Sequence, residues 1–80
     1  MARRRLVVEH EFKAWRPIRR DDPDKPLIPI KRGWHLFADR EVPGEFVIFD
    51  LDSVEYEVER EVFERSTKLA GPGETPPPPY

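Results

Sequence analysis

The stretch VPGEFVIFDLDSVEYEVEREVFER, residues 42–65, constrains the chain more than any other. It packs a turn, two extended runs and a helical turn into 24 residues. Val42-Pro43-Gly44-Glu45 has Pro and Gly at the two central positions of a type II turn, where Gly takes a positive φ. Glu45–Leu51 follows as a nearly continuous apolar run, which predicts a central strand buried on both faces. Asp52-Ser53 closes a short turn. Val54–Glu59 then alternates strictly: Val54, Tyr56 and Val58 are expected inside, and Glu55, Glu57 and Glu59 outside as an acidic ridge. Neighbouring carboxylates on a solvated face all stay ionised, so the ridge does not read as an acid–base pair. Arg60–Arg65 reads as one or two helical turns with Phe63 as a plug under the sheet. Phe46, Ile48, Tyr56, Val58 and Phe63 are the expected shared interior.

Upstream, Leu6–Trp15 predicts a first strand, rich in β-branched and aromatic residues. Period two puts Leu6, Val8, His10, Phe12 and Ala14 on the core face and Val7, Glu9, Glu11, Lys13 and Trp15 on the other. Residues 16–29 hold Pro17, Pro23, Pro26 and Pro29, which exclude a regular helix and a central strand, so the segment is a connection with DDPDK at its tip. Asp21, Asp22 and Asp24 lack the glycine and closing Glu of a calcium loop. Leu27–Asp39 contains the second extended segment, bent at Gly33, with Trp34, Leu36 and Ala38 alternating with His35, Phe37 and Asp39. Aromatics on both of its faces imply burial on both sides or an exposed aromatic. Trp34 and Phe37 beside Lys31 and Arg32 have the makings of a stacking platform, although a core role is the stronger reading. Ser66–Ala70 is either a short edge strand or a trailing end.

Eighty residues hold one core, assigned here to residues 1–70. Residues 71–80, GPGETPPPPY, are expected to be a proline-rich flexible tail, and Pro77-Pro78-Pro79-Tyr80 in it fits the PPxY pattern read by aromatic grooves. The expected fold is α+β, mainly β: a small antiparallel sheet of three to four strands with one short helix. With no Cys, no disulfide reinforces it, and His10 and His35 stand far apart in the chain, so neither a metal nor another cofactor is expected. No apolar run approaches a membrane-spanning length, and the expected location is the cytoplasm of a host cell. No glycine-rich phosphate loop, GxSxG or HExxH occurs, so the chain is expected not to be an enzyme.

Charge is uneven. Residues 1–40 carry 11 Lys or Arg against 6 Asp or Glu, and residues 41–65 carry 2 against 9. The segments Arg3-Arg4-Arg5-Leu6-Val7-Val8-Glu9 through Trp15, Pro43-Gly44-Glu45-Phe46-Val47-Ile48, Tyr56-Glu57-Val58, and Glu61-Val62-Phe63-Glu64-Arg65-Ser66 stand in this order along the chain. In them the chain resembles the small PGDYG-type proteins encoded by phages and prophages. Glu45 and Phe46 replace that family's Asp and Tyr, and the middle loop and tail have no counterpart in it. The resemblance implies a fold and a phage-type setting, and it carries no catalytic residue. The first expectation is therefore a protein-binding accessory or modulator of a host or phage protein. Its contacts are expected from Trp15, Arg16, Arg19, Arg20, Lys31, Arg32 and Trp34 in and around the 17–32 loop. A virion structural or decoration protein is an alternative, which would place it in the virion. A nucleic-acid-binding module led by Arg3, Arg4 and Arg5 is another.

Overall fold

A computed structural model describes residues 3–39 and 42–70. In chain order these are β1 (Arg4–Val8), β2 (Phe12–Ala14), a 3-10 turn (Pro17–Arg19), β3 (Ile28–Ile30), β4 (His35–Ala38), β5 (Phe46–Leu51), β6 (Val54–Glu59), α1 (Arg60–Ser66) and β7 (Thr67–Leu69). The mainly β expectation holds, but the strands outnumber the expected three to four. Five form one sheet in the order β6-β5-β4-β1-β7, and β2 and β3 form a second pair. The pairings are antiparallel.

The extra strands arise because two long arms bend together. The predicted Leu6–Trp15 strand breaks at residues 9–11, opposite the bend at Gly33 in the other arm. Val8 and Trp34 keep the arms joined there: the Val8 N–H donates to the Trp34 carbonyl and the Gly33 N–H to the Val8 carbonyl. Gly33 has φ +91°, a conformation that a side chain resists. Beyond the bend the arms continue as β2 and β3, and Trp15 then pairs with Glu57 on the free edge of β6. The sheet thereby curls over its own core. The break also ejects His10, expected in the core line but exposed: the Glu9 and His10 N–H groups both turn to the Ser66 carbonyl.

The inner face carries Leu6, Val8, Phe12, Ala14, Ile30, Leu36, Ala38, Val47, Phe49, Leu51, Val58 and Phe63. Phe63 is the plug, its ring 5.6 Å from Phe49 and 6.4 Å from Phe12. Thr67 Oγ1 donates to the Phe63 carbonyl and closes α1, which passes directly into β7. β7 is the edge strand that the sequence left open as one of two outcomes.

β5 departs from its expectation. It is buried on one face only: Val47, Phe49 and Leu51 point inward, Phe46 is half-buried, and Ile48 is 45% exposed. The two-residue turn at Asp52-Ser53 pairs Leu51 with Val54, and this fixes Phe49 opposite Tyr56 and Val47 opposite Val58. A strand has a period of two, so that register sends Phe46 and Ile48 to the outer face. Of the expected shared interior, Val58 and Phe63 are buried, Tyr56 packs partly against the core, and Phe46 and Ile48 lie outside it. Nor is the acidic ridge wholly wet, for Glu57 is 0% exposed. The proline-rich tail and its PPxY pattern lie outside the described residues.

Candidate functional site

The outer face of the sheet divides in two. One half, over β5 and β6, is partly covered by residues 15–25. The cover begins at Trp15, whose N–H donates to the Glu57 carbonyl at 3.0 Å and whose carbonyl accepts the Glu57 N–H at 2.6 Å. Residues paired in this way put their side chains on the same face. Trp15 Nε1 therefore reaches the Glu57 carboxylate and donates to Oε1 at 2.9 Å. Pro17 supplies the fixed φ that opens the 3-10 turn, and the turn delivers Arg20 to the same carboxylate. Arg20 Nε donates to Oε1 at 2.7 Å, and Nη2 donates to Oε2. The two bonds form the bidentate fork that guanidinium and carboxylate favour.

Rings complete the assembly. Trp15 meets Phe46 edge-on at 6.0 Å, Arg20 lies over the Phe46 ring at 4.9 Å, and Lys25 Nζ lies over the Trp15 ring at 4.5 Å. The loop also holds itself: the Asp22 carboxylate accepts the Asp24 N–H at 2.9 Å and pairs with Arg19 at 2.6 Å. That backbone hydrogen bond is the main reason the Asp22 pKa is lowered. Burial pushes the Glu57 pKa up, but the hydrogen bonds from Arg20 and Trp15 outweigh it and hold the group below the ordinary carboxylate value. The same bond raises the pKa of Arg20. A charged Glu57 is thus the anchor that fastens the proline-rich loop to the sheet edge.

Beside this anchor runs a groove of about 600 Å³. Phe46 and Ile48 form its apolar floor, and Val42 and Pro43 form one wall. Val42 is 46% exposed. Arg60 pins that wall, donating from Nε to the Gly44 carbonyl at 2.6 Å and from Nη2 to the Val42 carbonyl. Gly44 has φ +131°, in keeping with the positive φ expected at the turn. Over the other half of the outer face, on β7, β1 and β4, the described residues form no such cover. There the 47% exposed Phe37 stands directly across from Arg5.

The structure gathers only part of the expected partner set. Trp15 is 7% exposed and is engaged, with Arg20, on Glu57, so neither is an open anchor. Arg16 is exposed, Arg19 pairs with Asp22, and Lys31 lies 3.5 Å from Glu11. Arg32 is exposed, and Trp34 packs half-buried against the core. The three N-terminal arginines are split by the strand period: Arg3 pairs with Asp50 and Arg5 faces Phe37 on the outer face, whereas Arg4 aligns with inward-facing Ala38. Glu57 was the residue the sequence hid. Its outward direction was legible, but the cover comes from residues 37 and 42 positions away.

Among the described residues no three His, Cys, Asp or Glu are grouped to hold a metal ion. No helix among them is long and apolar enough to cross a membrane. Comparison with family models, with curated proteins and with solved structures finds no match.

Proposed function

We propose that the chain is a non-enzymatic protein-binding domain, an accessory or modulator of phage or prophage type. The observation that carries the reading is the groove with Phe46 and Ile48 on its floor. An aliphatic side chain that is 45% exposed in the second strand of a five-stranded sheet contributes little to the core. Apolar surface placed in a concavity and rimmed by charge is the usual form of a protein-binding site. The groove is also held in shape before any partner arrives. Arg60 fixes the wall at Val42 and Gly44, and the Glu57 anchor fixes the opposite flank. Such preorganisation lowers the ordering cost of association. The occupant that fits is a protein segment offering an aliphatic or aromatic side chain to Phe46 and Ile48. The phage setting rests on the resemblance in sequence alone.

The test uses the immobilised full chain and lysate of a bacterial host, beside an Ile48→Ser variant. The reading expects a protein retained by the parent chain and lost with the variant, both chains having the same melting temperature. Retention of nothing, or equal retention by both, contradicts it.

A further inference from the structure

The groove does not end at Phe46. A second hollow, of about 920 Å³, adjoins it, and the two share Arg20, Gly44, Glu45, Phe46 and Arg60 as lining. The strand register explains how the path changes in character. Ile48 lies across from Glu57 and Phe46 across from Glu59, so all four side chains stand on the outer face. Glu57 is covered by Trp15 and Arg20, whereas Glu59 is exposed. Glu45 precedes Phe46, and Glu61 follows in the first turn of α1; both are exposed and both line the second hollow. The apolar floor thus continues into an acidic end.

The excess of negative charge holds when every lining group is counted. Seven Asp or Glu line the two hollows against four Lys or Arg. Those cations are engaged. Arg3 pairs with Asp50, Arg20 with Glu57, and Arg60 with Glu64 at 3.7 Å and with two backbone carbonyls. Lys25 lies over Trp15 and donates to the Arg20 carbonyl at 3.2 Å. Glu45, Glu59 and Glu61 have no ion pair or side-chain hydrogen bond among the described residues. Outside the described residues the sequence holds Arg40 against Glu41 and Glu74, so even Arg40 set beside the groove leaves carboxylates in excess.

We infer that the groove takes a basic protein segment, with an aliphatic or aromatic side chain on Phe46 and Ile48 and neighbouring Lys or Arg on Glu45, Glu59 and Glu61. This rests on the reading of the groove as a protein-binding site and names the chemistry of its partner. Complementary charge selects the occupant, because an acidic segment on the same floor meets like charge. The chain's own residues 71–80 do not match, since they carry Glu74 and no Lys or Arg. A second copy matches poorly too, because a two-fold pairing sets the acidic face against itself.

Fluorescence anisotropy of the full chain with labelled octapeptides tests the assignment. Each has a central Leu-Phe, flanked by Lys and Arg, by Ser and Gly, or by Glu; residues 71–80 as a synthetic peptide are a fourth probe. The basic peptide should bind at least about fivefold tighter than the neutral one at low salt, since each exposed ion pair is worth about two- to fivefold. That advantage should shrink as salt rises and the Debye length falls from about 10 Å at 0.1 M to about 3 Å at 1 M. Glu59→Gln and Glu61→Gln should each weaken the basic peptide about two- to fivefold and leave the neutral one unchanged. Ile48→Ser should weaken both at least about fivefold. Glu9→Gln, which lines neither hollow, should leave every affinity within about 1.5-fold, as a check against net charge alone. Equal melting temperatures show that the variants are folded. No binding of the basic peptide, equal binding of basic and neutral peptides, or basic binding unaffected by Ile48→Ser overturns the inference. So does tighter binding of the 71–80 peptide, or a dimer of the chain alone that Ile48→Ser disperses. Equal binding of basic and neutral peptides, both lost in Ile48→Ser, sinks the basic partner and leaves the groove reading standing, whereas that reading fails on lysate retention.

Discussion

Replacing Glu57 by Gln tests the anchor with almost no change of volume. The amide oxygen still accepts from Trp15 Nε1, but the charge that draws both Arg20 donors is gone. A hydrogen bond to a charged group contributes about 1.5–3 kcal/mol. The Arg20 side chain is 46% exposed and regains water once released, so the two lost bonds count as little more than one. The expected cost is therefore about 2–3 kcal/mol, read against roughly 4–12 kcal/mol for a domain of this length. At about 4–8 °C per kcal/mol for small domains, the melting temperature falls by roughly 10–20 °C. Urea unfolding followed by tryptophan fluorescence, with the m-value unchanged, measures it. The effect depends on pH. Glu57 has a lowered pKa in the folded chain, so the unfolded chain takes up its proton first as pH falls. Its stabilisation is complete above the ordinary glutamate value of about 4.3 and is lost as pH drops through the lower folded value. The gap between parent and Glu57→Gln should therefore be wide at neutral pH and close on acidification. A gap under about 0.5 kcal/mol at pH 7, or one that grows on acidification, refutes the reasoning.

Asp52 and Ser53 adopt φ values of 53° and 65°, as a two-residue hairpin turn requires, so Ser53→Gly should stabilise the chain by about 0.5–1 kcal/mol in a urea titration. Gly44→Ala should cost about 1 kcal/mol: a Cβ there meets nothing closer than 3.9 Å, but the φ of +131° strains any side chain. Phe63→Ala removes the fully buried plug and should cost about 3–5 kcal/mol, seen as a large fall in midpoint by circular dichroism. Arg20→Ala leaves the Glu57 carboxylate without its cation and should destabilise the chain at neutral pH, with a smaller effect in acid.

Much of the core was legible from alternation alone. Leu6, Val8, Phe12, Ala14 and Val58 all lie inside as their spacing implies, whereas aromatics on both faces of residues 34–39 left the burial of Leu36 and Ala38 undecided. The run EFVIFDL was harder, because it is apolar on both faces and fits either register. The deciding information sits in its neighbour. Counting back from Val54 through the two-residue turn gives Leu51, Phe49 and Val47 as the inner set, and that places Ile48 in the groove. His10 was misplaced because a bend is a property of two arms together, and one strand read alone gives no sign of where its partner turns. Glu57 was misread for a related reason. Alternation gives the direction of a side chain but not what lies over it, and the donors that bury it come from Trp15 and a loop far away in the chain. The proline content of that loop said only that it was irregular. Its role as a cover follows from the pairing of Trp15 with Glu57, a tertiary event.

Exchange of the Trp15 indole hydrogen with solvent is the most direct measure of the anchor that shapes the outer face. The indole N–H is held by a fully buried carboxylate, so its resonance should persist at neutral pH and exchange far more slowly than that of an open indole. Glu57→Ala should abolish that protection while the inner-face amides of β4 stay protected. Exchange at the rate of a free indole in the parent chain, or unchanged protection in Glu57→Ala, contradicts the account.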